Sequence, residues 1–192
     1  KSITESGCGV GEILCFLHQN MSNECHFKGY DLSPQAINIA KNLESARLSF
    51  HKEDIFDMKL DKKQDLLLII DVIEHVEDIF AFLRKIKQYG DYKIFHIPLD
   101  LSVLSVFRKK TLILSRNQVG HIHYFNLELA LSILTETGYE VCDYFLTNGS
   151  IDLPRKTIKS WMMKFPRKFM NKLSPKYNAH LFGGSSIMIL AK

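Results

Sequence analysis

Thr4 to Leu14 read TESGCGVGEIL, with glycines at alternate positions, Gly7, Gly9 and Gly11. An acidic residue, Glu5, stands two before the first of them, and apolar residues resume at helical spacing after the last. Glycine costs roughly 0.5–1 kcal/mol against alanine inside a helix or strand, so such a cluster marks a turn that the backbone requires. Three readings compete for it. A phosphate-cradling G-x-x-x-x-G-K-[ST] loop is absent. A dinucleotide loop, G-x-G-x-x-G, would need its third glycine at Glu12, where a carboxylate would face a pyrophosphate at a helix start. The third reading is a tight strand-to-helix turn with no ligand.

Asp31 tips the balance. It ends CHFKGYD (Cys25–Asp31), a second strand, twenty residues beyond Gly11. There a doubly wound sheet places a carboxylate on a ribose diol. The competing role, capping the helix that begins near Pro34, is already filled by Ser33, with proline at the first helical position. A ribose-binding acid without a pyrophosphate site points to a nucleoside-type cofactor.

Strand and helix patterns alternate along the chain. Ser2–Glu5 reads as the end of a first strand. Val10–Gln19 follows as a helix with Ile13, Leu14 and Leu17 on one face. Leu48–Asp54 is a third strand. Asp65–Asp71 is a fourth, apolar on both faces as a central parallel strand must be. In VEDIFAFLRKIKQYG, Ile79, Leu83 and Ile86 align, with Gly90 as the stop. DYKIFHIP is a fifth strand closed by Pro98. Residues 101–119 read as a short helix plus a loop, and Asn126–Gly138 as a helix with an Asn cap and a Gly stop. YEVCDYFLTNG is a sixth strand and Ser185–Lys192 a seventh. Repeated βα units argue for a parallel sheet with helices on both faces.

The 192 residues suffice for one domain with a full core, 46% of them hydrophobic and 24% charged, as in soluble globular chains. The longest apolar runs, such as Leu66–Ile70, fall far short of the ~20 residues that cross a bilayer. Cys8, Cys15, Cys25 and Cys142 form no C-x-x-C pair, which fits reduced core thiols in a cytoplasmic protein better than a zinc site. The chain opens at Lys1 and enters its first motif at once, so a further N-terminal segment that helps close the site is expected. Charge is uneven. From Leu153 onward there are nine basic residues and no acid, whereas the preceding 152 carry 16 basic and 21 acidic.

Taken together, ESGCGVGEIL, GYDLSPQAINIAKN, KEDIFD and DLLLIIDVIEHVED resemble, in order and spacing, the motifs of class I S-adenosylmethionine-dependent methyltransferases. The likeness continues through GHIHYFNLELALSILTETGYEV and is thin in Leu101–Val119 and after Gly149. The resemblance implies an α/β, doubly wound Rossmann-like fold. Its sheet has seven strands, mostly parallel with an antiparallel last strand, in a single domain over 1–192 with substrate or lid inserts at 101–119 and 150–184. It also implies S-adenosyl-L-methionine as cofactor. Glu5, Gly7, Cys8, Gly9 and Gly11 match the loop around its methionine part, and Asp31 and Leu32 match the ribose and adenine contacts. Asp54 and Ile55 match the adenine edge, and Asp71 and Val72 the floor beneath the methyl group. Ser6 departs from the family, where apolar residues are commoner.

Methyl transfer from a sulfonium is an in-line displacement, so the protein mainly aligns the partners, worth on the order of 7–11 kcal/mol. A general base is needed only where the acceptor must lose a proton. DVIEHVED puts Glu74 and His75 just past the fourth strand, at the ligand-binding edge, unless they merely shape the turn. If GHIHYF runs extended, His121 and His123 share a face opposite Tyr124 and supply a second base, unless they are structural histidines. Asp71-x-x-Glu74-His75 is similar in outline to a metal-holding cluster of ubiquinone-biosynthesis O-methyltransferases, but two carboxylates and an imidazole alone leave a metal site short of ligands. The branch of the resembled family that methylates amino groups of bases and protein side chains carries an Asn/Asp-Pro-Pro-Tyr run after the fourth strand, where this chain reads DVIEH. The resemblance therefore implies a small-molecule acceptor, hydrophobic or lipid-like and expected to be methylated on oxygen, over a nucleobase. Residues 155–176 interleave cations with Trp161, Met162, Phe165 and Phe169 around a helix broken by Pro166. They read as a lid packed by its apolar face, as a segment meeting anionic membrane or an amphipathic substrate, or as a nucleic-acid contact, for which no RNA module is present. The rival functions are an RNA or protein methyltransferase and a non-catalytic binding domain.

Overall fold

The computed structural model describes residues 1–58, 63–108, 110–149 and 164–192. Its strands are β1 (Ser2–Ser6), β2 (His26–Tyr30), β3 (Leu48–His51), β4 (Gln64–Ile70), β5 (Gly90–Pro98), β6 (Val141–Thr147) and β7 (Ser186–Ala191). The helices are α1 (Glu12–Asn20), α2 (Pro34–Ala40), α3 (Ile79–Ile86), α4 (Val103–Phe107), α5 (Lys110–Val119), α6 (Leu127–Glu136), α7 (Lys164–Leu173) and α8 (Pro175–Phe182).

The sheet order is β3-β2-β1-β4-β5-β7-β6, with β7 antiparallel to both of its neighbours and the other pairs parallel. After β1 the chain winds outward through β2 and β3, then returns to lay β4 on the other side of β1. That reversal opens a crevice beyond the carboxyl ends of β1 and β4, where ligands of open α/β sheets bind.

β4 divides the core. Leu67 and Ile69 point into one apolar cluster with Leu83, Ile86, Phe95 and Ile133. Leu68 points into the other, with Leu14, Phe27, Ile37 and Phe50. Alternate residues of one strand are thus buried on opposite faces, which is why Leu66–Ile70 is apolar throughout. Caps fix the helix starts. Ser33 Oγ accepts from the Ala36 amide at 3.2 Å, and Asn126 Oδ1 from the Leu129 amide at 2.8 Å.

Several local expectations need correction. α1 starts at Glu12, and its inward stripe runs through Leu14 and Leu17, while Ile13, 100° round from Leu14, is 42% exposed. Gly90 does end the helical stretch, capping the 3-10 turn Lys87–Tyr89, but in an extended rather than a left-handed conformation, as the first residue of β5, where a Cβ would lie 3.0 Å from that of Leu67. The expected loop before Val119 is a second helix, α5. Cys142 is exposed rather than a core thiol. Pro166 lies within the described part of α7, and the expected helix before Lys164 lies outside the described residues. The break comes at Ser174 and Pro175, the cap and first residue of α8. Residues 150–163 of the expected insert lie outside the described residues. Among the described residues no helix is long and apolar enough to cross a membrane.

Candidate active site

The glycine loop is pinned to the end of β2, where the Gly7 and Cys8 amides both donate to the Tyr30 carbonyl, at 2.8 and 3.1 Å. Gly7, Gly9 and Gly11 have φ of +73°, +53° and +82°, the left-handed region that side chains avoid. Their surroundings differ. A Cβ on Gly11 would strike the Phe50 ring at 2.4 Å, and one on Gly7 would strike Val72 at 2.6 Å. A Cβ on Gly9 would meet nothing within 4 Å. Gly11 therefore serves packing, whereas Gly9 leaves space free.

Asp31 organises the rim. One carboxylate oxygen accepts from the Gly9 amide and the other from the Ser33 amide, both at 2.8 Å. Each oxygen keeps a lone pair for a ligand hydroxyl. Ser6, Gly7, Asp31, Leu32, Asp54, Ile55 and Val72 line one cavity of about 580 Å³, so the residues assigned to ribose, adenine and methyl floor converge. Asp54 also holds its own turn by accepting from the Phe56 amide at 2.9 Å. Glu53, Phe56, Phe82 and Lys85 line the same cavity, and nothing in their sequence setting singled them out.

Glu5, Cys8, Gly9, Gly11 and Asp71 are not in that lining. Cys8 is buried, and burial with the nearby Glu5 and Asp31 charges pushes its thiol up to about 12, so it is no nucleophile. Glu5 lies under the loop, 1% exposed, with Oε2 unpartnered. Burial, then the Asp31 charge, pushes its carboxyl up to about 8. A buried, unpaired acid beneath an open glycine and a ribose-ready aspartate fits a nucleoside ligand with a cationic end. Asp71 turns aside. Its φ of +51° is the one positive value of a non-glycine among the described residues, and its carboxylate bonds His96 Nδ1 at 2.6 Å.

None of the candidate bases is in that lining; Glu74 and His75 lie in the turn between Val72 and Val76, which are, and His121 joins them there. Glu74 is 0% exposed and neither carboxylate oxygen has a hydrogen-bond partner. Burial pushes it up to about 8, opposed by the nearness of its own backbone amide, which makes no hydrogen bond to it, and helped by the Asp71 and Asp100 charges. His75 Nε2 and His121 Nε2 lie 4.0 and 3.9 Å from Glu74 Oε1, and the two rings meet edge to face at 5.1 Å. His75 Nδ1 is bonded to the Gly120 carbonyl at 3.1 Å. His121 Nδ1 is bonded to Asp100 Oδ2 at 2.5 Å, and Ser115 Oγ donates to the same oxygen. Asp100, directly after β5, and Ser115 were not anticipated. The position of Asp100 at the carboxyl edge of the sheet was a usable signal, while Ser115 gave none.

His123 does not join His121, because Gly120–Phe125 is not an extended strand. Its Nε2 bonds the Val76 carbonyl at 2.8 Å, and the Ile122 and His123 amides donate to the Glu74 carbonyl. His123 thus bolts this segment onto the turn after β4. Ligand atoms of Glu74, His75 and His121 lie within 4.8 Å of one another and could hold a metal ion, with His121 in the place expected for Asp71.

Residues 1–150 match a family described as a methyltransferase domain. Ajmaline N-methyltransferase of Rauvolfia serpentina is 32% identical over 91 residues, 44% of this chain and 31% of that protein. (S)-tetrahydroprotoberberine N-methyltransferase of Eschscholzia californica is 26% identical over 93 residues, 46% of this chain and 26% of that one. The match therefore spans under a third of either relative's length. Among solved structures, magnesium protoporphyrin IX methyltransferase of Synechocystis, with bound SAH, superposes with a TM-score of 0.63. It shares 16% identity over 99% of this chain and 73% of that one, a likeness of fold.

Proposed function

This chain belongs to the methyltransferase domain family, an S-adenosylmethionine-dependent methyltransferase, and on that premise we propose that its acceptor is a nitrogen of a small molecule. The observation that carries this reading is Glu74, a buried carboxylate without a hydrogen-bond partner, between two imidazoles at the carboxyl edge of the sheet. An amine is a cation at neutral pH and must shed a proton before its lone pair can attack. An unpaired buried carboxylate favours binding such a cation, because the cation relieves its desolvation. The curated relatives are N-methyltransferases, which also supports nitrogen over the oxygen expected from the sequence.

Bound in the cavity, the cofactor supplies an activated methyl group. The protein does the rest. Asp31 and the Gly9 amide fix the ribose end, and Asp54 and Ile55 flank the base. Glu5 ionises against the cofactor's ammonium. Glu74 gives up its own proton to solvent when the acceptor's ammonium lies beside it. The carboxylate so formed takes the ammonium's proton and frees the nitrogen lone pair, with His75 and His121 as neighbouring acceptors. Asp100 fixes the tautomer of His121 through Nδ1, leaving Nε2 toward Glu74. His123 positions the segment without touching the reactants.

The test is a panel of secondary and tertiary amines against phenols of matched size, with isotopically labelled S-adenosylmethionine. Transfer to amines supports the assignment. Transfer confined to phenols overturns it.

We further propose that α7 meets an anionic surface. Phe169 and Leu173 are 67% and 66% exposed, with Lys168 and Lys172 beside them. That outward apolar face speaks against a lid packed on the sheet by its apolar side.

A further inference from the structure

Lys93 occupies the wrong kind of position for a lysine. On β5 it shares a face with Phe95 and Ile97, both fully buried, and it is itself 2% exposed. Such a position calls for an apolar side chain, and an ammonium there should at least reach a carboxylate. It does not. Its nearest polar contact is the Asp91 backbone carbonyl, to which it donates at 3.5 Å, and no Lys or Arg among the described residues forms an ion pair within 4 Å in this region.

Like charges gather around it instead. Lys93 opens into a cleft of about 530 Å³ that also receives Lys63, Arg84, Lys87 and Lys192, against the side chains of Asp91 and Glu140 among the described residues. Two of these cations share one ring, since Lys87 Nζ and Lys93 Nζ stand 5.5 and 5.6 Å from the centroid of Tyr139. Tyr139 is buried and spends its hydroxyl proton on the Leu83 carbonyl at 2.7 Å. Lys87 is anchored by donating to the Gly138 carbonyl. Burial, then the Lys63 and Lys87 charges, push Lys93 down to about 8, partly offset by Asp91. Lys87 and Lys93 are held against one ring, Lys93 is desolvated, and cationic side chains outnumber acidic ones among the described residues of the cleft.

The cleft lies at the start of β5, whereas the methyl-transfer site lies beyond the strands' other ends. Nine residues of strand, roughly 25–30 Å, separate the two. The geometry points to a second binding site, and we propose that this cleft takes a small phosphate-bearing anion. A single carboxylate would balance one ammonium and leave the others opposed. A phosphate or pyrophosphate group offers several oxygens and more than one negative charge to the converging donors.

Calorimetric titration of the full chain with inorganic phosphate and pyrophosphate at low salt tests this. We expect one-to-one binding, tighter for pyrophosphate, that weakens as salt is raised. Lys93→Met, which keeps the stem and removes the charge, is expected to weaken it at least tenfold while S-adenosylhomocysteine binding at the far site stays unchanged. Should Lys93→Met fail to fold, Lys87→Met, at a half-buried position, is expected to show the same loss. The second readout is the titration of the Lys93 ammonium by NMR, which bound pyrophosphate should move to higher pH. No binding at millimolar pyrophosphate, binding indifferent to both substitutions, or binding that leaves the Lys93 titration in place would each overturn the proposal.

Discussion

At the residue scale, two buried carboxyls set the behaviour of the site. Glu5 and Glu74 both titrate near 8 in the fold, against an ordinary 4.5. Between those values the folded chain keeps protons that the unfolded chain has released. Stability therefore falls as pH rises from 4.5 to 8, by up to about 1.4 kcal/mol per pH unit for each group. Glu74→Gln removes one of these penalties, so its thermal midpoint is expected to exceed that of the wild type at pH 8 and to approach it at pH 5. Equal midpoints at pH 8 would contradict the burial argument. Glu5 makes a related prediction. Calorimetry at pH 7 in buffers of different ionisation enthalpy should show a proton released when S-adenosylmethionine binds, and Glu5→Gln should abolish most of that release. Asp31 ties the loop and the ribose position together, so Asp31→Ala is expected to weaken cofactor binding at least tenfold, about 1.5–3 kcal/mol for hydrogen bonds to a charged group. Unchanged affinity would reject its role.

At the element scale, the loop between β1 and α1 separates packing from binding. Gly11→Ala drives a Cβ into Phe50 and is expected to destabilise the fold by about 2–4 kcal/mol, with binding lost only through unfolding. Gly9→Ala meets no atom of the protein, so its cost is the left-handed backbone alone, about 1–2 kcal/mol, and if the open space at Gly9 takes part of the cofactor its binding should weaken while the fold survives. Denaturant unfolding and cofactor titration of the two variants should therefore move in opposite order. This element was legible in sequence because its glycine spacing and the distant Asp31 are local, periodic signals. So were the strands, because an apolar stretch like Leu66–Ile70 can only be buried on both sides. The cluster proposed as the base was half legible. Glu74 and His75 follow β4 directly, but the meeting of His75 with His121 depends on a non-extended segment whose backbone is fixed by hydrogen bonds to Glu74 and Val76. Alternation could not foresee that, nor that His96 would draw Asp71 away. Gly90 ended the helical stretch as expected, though through close packing on Leu67 rather than a left-handed turn.

At the scale of the whole molecule, charge and chemistry are spread over distinct regions. The chain from Leu153 onward has no acid, and α7 shows Phe169 and Leu173 outward between lysines. Vesicles of phosphatidylcholine with phosphatidylglycerol are expected to retain the protein at low salt, and Phe169→Ser with Leu173→Ser to release it. Retention unaffected by both changes would place the contact elsewhere. The carboxyl edge of the sheet joins the cofactor cavity to the Glu74 cluster, and there the base reading differs from a metal reading. If Glu74 acts as a base, methyl transfer should survive exhaustive chelation, and loss of activity restored by a divalent ion would favour the metal. The most direct measurement is the single-turnover rate of methyl transfer to an amine by Glu74→Gln with S-adenosylmethionine saturating. The account predicts a fall of about 10²–10⁴-fold with cofactor affinity unchanged, and loss of the rise in kcat/KM through pH 8 that the wild type shows. A Glu74→Gln protein that transfers methyl groups at the wild-type rate would contradict it.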